Sequence, residues 1–202
     1  MLSTLTASRS VHVRGGHAAV LNSLDLPASL PVGVPWFTVL VAAVAGERLA
    51  ELVVAARNAR WSRARGGVEH GAGHYPVMVA VHTALLVAMP VEVHFAARPF
   101  LPALGWPMLT AAVAAQLLRW SCVRSLGARW NTRVIVVPGM PLVTRGPYRW
   151  LRHPNYVAVA VEGVALPLVH TAWVTAFCFT AANAAVLAVR LRVENAALGL
   201  TS

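Results

Sequence analysis

From Trp36 to Glu194 the chain is a succession of apolar runs, most of them long enough for the roughly 30 Å of a bilayer's hydrocarbon, separated by short polar segments crowded with arginine. That alternation constrains the architecture more than any motif does. A soluble domain carries about 25% charged residues. Here 12% of 202 residues are charged, 57% are hydrophobic, and the mean hydropathy is +0.62. The length suits one compact membrane domain. The net charge of +10 comes from arginines that flank the apolar runs, which reads as anchoring at a membrane face rather than nucleic-acid binding. No nucleic-acid motif accompanies them.

Taken in order, residues 1–34 read as a flexible N-terminal extension, too poorly patterned for a signal peptide. Residues 35–128 hold three expected membrane helices, from Trp36 to about Ala56, Tyr75 to Ala96, and Ala103 to Leu126. Glu47, Arg48 and Glu51 lie inside the first, where a charge costs about 2.5–3.5 kcal/mol on insertion scales and so must face protein or water. Residues 129–202 form the third region. The β-branched run Val134–Val137 and the Pro138-Gly139 turn predict an extended segment. Pro154 starts a fourth helix, to about Leu168, because its missing N–H costs nothing in a first turn. A fifth runs from about Ala172 to Glu194 and forms a hairpin with the fourth. The expected fold is thus all-α and integral to the membrane, with about five transmembrane helices. The arginine distribution puts the loop at Arg57–Arg65, the Arg119–Arg152 region and the C-terminus in the cytoplasm.

Three constellations can carry chemistry. The first is GPYRWLRHPNY, residues 146–156: a Gly-Pro turn, the aromatic faces of Tyr148 and Tyr156, and the hydrogen-bonding groups of His153 and Asn155. The second is Asn183, Arg190, Glu194 and Leu198, on one face of the last helix. The third is Asn155 with Glu162, seven residues apart. Glu162 lies in mid-span, as an acceptor-binding or proton-transfer group or as the partner of an arginine. Cys122 and Cys178 read as small buried hydrophobes, and neither they nor the scattered histidines have metal-ligand spacing.

At these residues the chain resembles the isoprenylcysteine carboxyl methyltransferase family. The pattern LVxxGxYxxxRHPxY is present as Leu142–Val143, Gly146, Tyr148 and Arg152–Tyr156, and a C-terminal RxxxExxxL as Arg190, Glu194 and Leu198. The resemblance covers about the last 75 residues, from Trp130. It implies a membrane methyltransferase that uses S-adenosylmethionine in a pocket facing the cytoplasm. It also implies cofactor-binding roles for Met140, Pro141, Leu142, Val143, Tyr148, His153, Pro154, Asn155, Tyr156 and Glu194, and an acceptor contact for Arg190. Met140 stands where the eukaryotic members have histidine, and Glu194–Asn195 where they have a Glu-Glu pair. The WNTRVIVVPGMPLV run and Glu162 resemble a bacterial branch that O-methylates long-chain alkylpyrones and alkylresorcinols made by type III polyketide synthases. The expected catalytic pair is Arg190 with Glu162, and the expected partners are a lipophilic acceptor and membrane lipids, with no nucleic acid. Carboxyl methylation of a prenylcysteine-like acceptor, a membrane reductase using a nicotinamide cofactor, and a non-catalytic basic scaffold are the rival readings.

Overall fold

The computed structural model describes residues 33–199. The expected N-terminal extension lies, apart from its last two residues, outside the described residues. Five helices dominate: α1 (Gly33–Arg63), α2 (Tyr75–Phe95), α3 (Pro102–Leu126), α4 (Pro154–Leu168) and α5 (Trp173–Ala197). Proline opens or nearly opens α2, α3 and α4, through Pro76, Pro102 and Pro154.

Two helical segments, Ala72–Phe95 and Trp173–Ala197, are long and apolar enough to cross a membrane by length and composition. The other helices are less plain. Charges interrupt α1 and α3, and α4 has 15 residues.

Two boundaries differ from the sequence expectation. α1 does not stop near Ala56 but continues through Arg57, Arg60 and Arg63. Nothing in that stretch breaks a helix, and the first breaker is Gly66, at φ 76°. The Gly66 and Gly67 amides then bond to the Arg63 and Ser62 carbonyls at 3.0 and 2.9 Å and end the helix. The extended segment is strand β2 (Val134–Val136). It pairs antiparallel with β1 (Val68–His70), Glu69 opposite Ile135, a partner the sequence did not suggest.

A buried apolar cluster that includes Phe37, Leu85, Met89, Val93, Leu166 and Phe179 draws on α1, α2, α4 and α5. Gly163 lets α4 and α5 close up: a Cβ there would come within 2.0 Å of the Phe179 ring. Glu92 of α2 receives the Val174 and Thr175 amides at 3.2 and 2.7 Å, filling the open donors at the start of α5.

The charges of α1 are tied up inside the bundle. Arg48 meets Glu162 of α4 and Glu51, each at 2.6 Å. Arg119 of α3 grips Glu51 through Nε and Nη2 at 2.7 and 2.6 Å. Gln116 and Trp120 of α3 both donate to Glu47. Polar groups here satisfy one another, as burial requires.

Candidate functional site

At the end of the bundle where α1, α3 and α5 finish and α4 begins, the chain forms an open cavity of about 450 Å³. Its walls come from distant parts of the sequence. One is Trp130–Val137 with the strand β2, and another is Met140–Thr144. The third is formed by Tyr148, Arg152, His153, Asn155 and Tyr156, and the fourth by Arg190, Glu194 and Leu198 of α5.

The first wall is braced from outside. Asn58 Nδ2 donates to the carbonyls of Gly127 and Trp130 at 3.2 and 2.8 Å. Arg129, itself at the cavity, ties the second wall by donating to the Pro141 carbonyl at 2.6 Å. Glu69, on β1, accepts from Arg133 at 2.6 Å and from Arg63 at 2.7 Å. Those guanidinium groups, Arg133 first, hold the Glu69 carboxyl below its usual range.

The third and fourth walls are joined by a polar chain. Arg190 Nε donates to the Tyr156 hydroxyl at 2.8 Å, and that hydroxyl donates to Glu194 Oε2. Arg190 also donates to the Thr132 carbonyl at 2.7 Å. The His153 ring stacks on Tyr156 at 5.5 Å between centroids. Its Nε2 lies 2.9 Å from Asn195 Oδ1, and its Nδ1 lies 3.7 Å from Glu194. With acceptors facing both nitrogens, the doubly protonated ring is favoured. Glu194 is the main cause of a His153 pKa above its ordinary value. Burial raises the Tyr148 phenol well above its usual range, so Tyr148 stays neutral.

The site residues expected from sequence divide into two groups. Met140, Pro141, Leu142, Val143, Tyr148, His153, Asn155, Tyr156, Arg190 and Glu194 all line the one cavity. Pro154 is buried beside it and opens α4. Glu162 is not brought there. It lies two turns down α4, bonded to Arg48 and lining a separate void of about 30 Å³ with His82 and Arg119. Its spacing from Asn155 gives a shared helical face, but seven residues also set the two about 10 Å apart along the axis. Asn183 is buried away from the cavity on α5, although it shares the face of Arg190.

A model of the family described as isoprenylcysteine carboxyl methyltransferase (ICMT) matches residues 108–199, the stretch that supplies almost all of the cavity wall. An uncharacterized protein, YpbQ, of Bacillus subtilis (strain 168) is 37% identical over 163 residues, covering 80% of this chain and 96% of that protein. The chain belongs to the isoprenylcysteine carboxyl methyltransferase family. No solved structure matches it at a significant level.

Isoprenylcysteine carboxyl methyltransferase family members are membrane-bound and use S-adenosylmethionine, so membership supports a membrane methyltransferase. The cavity has the size of a small-molecule pocket, about 300–1,000 Å³. Its polar groups also suit such a ligand. Two amide atoms of cavity-lining residues, Asn131 Nδ2 and Asn155 Oδ1, are buried without a hydrogen-bond partner. Asn131 Oδ1 is already used by the Arg133 amide at 3.4 Å, which leaves Nδ2 as a spare donor. Asn131 and Arg133 also line the cavity, outside the motif but within the run WNTRVIVVPGMPLV that the sequence already set apart. They precede strand β2, and the pairing of β2 with β1 places the segment at the cavity. Among the described residues, no group of three or more histidine, cysteine or acidic residues could hold a metal.

Proposed function

We propose that the protein is an O-methyltransferase for a long-chain lipophilic acceptor of the alkylpyrone or alkylresorcinol type, a class made by type III polyketide synthases. We further propose that the five helices cross the membrane and that the cavity opens toward the cytoplasm. The observation that carries the reading is the polar chain from Arg190 through Tyr156 to Glu194 and His153, lining the same cavity as the apolar strand β2. The orientation is supported by the arginines at Arg57–Arg65 and Arg124–Arg152, which lie at the cavity's end of the bundle.

S-adenosylmethionine, when bound, supplies a methyl group made electrophilic by its sulfonium sulfur. The chain has to hold that donor and align an acceptor oxygen with it, with water kept out. Glu194 offers a carboxylate to a hydroxyl or an ammonium group, and Asn131 and Asn155 offer their spare donor and acceptor. Tyr148, uncharged, supplies an aromatic face. Arg190 is anchored by Tyr156, the Thr132 carbonyl and Met78 Sδ, and it lines the cavity. Such a guanidinium stabilises an acceptor that arrives as an enolate or carboxylate, for which no strong base is needed. The apolar side chains of Val134, Val136 and Leu142 at the wall suit a hydrocarbon tail.

The test is a labelled-methyl assay on membranes carrying the protein, with alkylpyrones, alkylresorcinols and a prenylcysteine analogue side by side. Label is expected in the first two. Label in the prenylcysteine analogue alone would replace the acceptor. Calorimetry with S-adenosylhomocysteine against NADPH checks the cofactor, and binding of NADPH alone would overturn the reading altogether.

A further inference from the structure

Charge is unbalanced at the end of the bundle that holds the cavity. Exposed arginines there include Arg57, Arg60, Arg124, Arg145, Arg149 and Arg192. The carboxylates at the same end are Glu69 and Glu194, and both are taken: Glu69 by Arg63 and Arg133, Glu194 by Tyr156 and His153. The other carboxylates of the described residues are Glu47, Glu51 and Glu162 within the bundle and Glu92 at its opposite end. The surplus therefore has no counter-charge in this part of the chain.

One stretch of that surface adds apolar chemistry to the charge. Between the turn at Gly146–Arg149 and α4, Trp150 is 74% exposed and Leu151 is 41% exposed. The Arg149 guanidinium lies 4.5 Å from the Trp150 ring centroid. Arg145 Nε donates to the Ser125 carbonyl at 3.1 Å, which brings this stretch to the end of α3 beside Arg124. Trp150 and Leu151 thus leave apolar surface exposed beside the Arg149 guanidinium, on the stretch that Arg145 ties to the end of α3. The combination fits the boundary between headgroups and acyl chains, where tryptophan and arginine anchor.

We propose that Arg124, Arg145, Arg149 and Trp150 form a docking site for anionic phospholipid headgroups. The guanidinium groups pair with lipid phosphates in fork geometry. Trp150 and Leu151 sink to the level of the first acyl carbons. The site lies outside the cavity, so it does not depend on the chemistry assigned there.

The experiment uses the full chain in lipid nanodiscs, with Trp150→Phe as a companion variant, so that the difference in fluorescence isolates Trp150 among the seven tryptophans. Phosphatidylglycerol and phosphatidylcholine, each brominated on its acyl chains, are compared as quenchers at equal mole fraction. Phosphatidylglycerol is expected to quench Trp150 more strongly. Arg149→Gln should lower that preference about fivefold, the contribution of one basic residue near an anionic surface, and raised salt should lower it too. Arg149→Lys should retain most of it. Circular dichroism identifies any variant that has lost its helices. Equal quenching by the two lipids in the unmodified protein would overturn the proposal. So would a preference that survives Arg149→Gln and the triple change Arg124→Gln, Arg145→Gln, Arg149→Gln. Displacement of the lipid by soluble glycerol phosphate at matched concentration would show a free-anion site instead.

Discussion

The hydroxyl of Tyr156 is the joint of the cavity's polar wall. It accepts from Arg190 and donates to Glu194, so neither of its hydrogen-bonding roles is left for a ligand. Tyr156→Phe keeps the ring that stacks on His153 but leaves one charged donor and one charged acceptor short of a partner. A bond to a charged group is worth about 1.5–3 kcal/mol, so affinity for S-adenosylhomocysteine is expected to fall about tenfold or more, measured by calorimetry on folded protein. Unchanged affinity would mean that the hydroxyl positions nothing. Asn131→Ala is expected to weaken the same ligand by up to about tenfold, one neutral hydrogen bond.

His153 has a raised pKa in the fold, caused chiefly by the neighbouring Glu194. Its contribution to stability is therefore fully present below the ordinary histidine pKa of about 6.5 and is lost as pH rises through the raised value. A ring titration by NMR should place His153 above that value in the native protein. In Glu194→Gln it should return toward it, and a titration indifferent to Glu194→Gln would dissociate the two residues.

At the scale of elements, the α4–α5 hairpin depends on a missing side chain. A methyl group at Gly163 would meet the Phe179 ring at 2.0 Å, so Gly163→Ala must displace that ring. Overpacking of this kind costs about 1–3 kcal/mol. The expected result is a lower Tm in detergent, with Gly163→Ala, Phe179→Leu recovering part of the loss. No recovery would place the strain elsewhere.

The hairpin was legible in the sequence because its signals are local. Pro154 opens α4 where a first turn tolerates proline, and the apolar runs on either side of Pro167–Thr171 have helix length. The motif residues from Met140 to Tyr156 and from Arg190 to Glu194 were legible as two separate elements, and the fold brings them to one cavity. What the sequence concealed depends on distant pairing. Strand β1 is three residues, Val68 to His70, in a Gly-rich loop, and it becomes a strand only against residues 66 or so positions away. Asn131 is an ordinary loop asparagine until β2 turns the segment into a cavity wall.

Over the whole molecule, the glutamates and arginines inside the bundle decide how far the helices can separate. Arg48 joins α1 to Glu162 on α4, and Arg119 joins α3 to Glu51 on α1. Buried pairs of this kind are weak evidence for net stability, because desolvation offsets most of their attraction, but removing one partner strands the other. Glu162 has two candidate roles, an acceptor-binding or proton-transfer group and the partner of an arginine. In the structure it receives two bonds from Arg48 Nη2, at 2.6 and 2.8 Å, and it does not line the cavity that holds His153 and Arg190. Glu162→Leu should therefore destabilise the bundle by about 3–5 kcal/mol, the cost of leaving a buried charge unpaired, reduced to the extent that Glu51 still holds Arg48. Glu162→Gln keeps the shape and the hydrogen bond while removing the charge. Where it remains folded, its affinity for S-adenosylhomocysteine and its rate at saturating acceptor should stay within a few-fold of the unmodified protein. A folded Glu162→Gln with intact ligand affinity and no methyl transfer would instead make Glu162 catalytic, reached by an acceptor that threads from the cavity into the bundle.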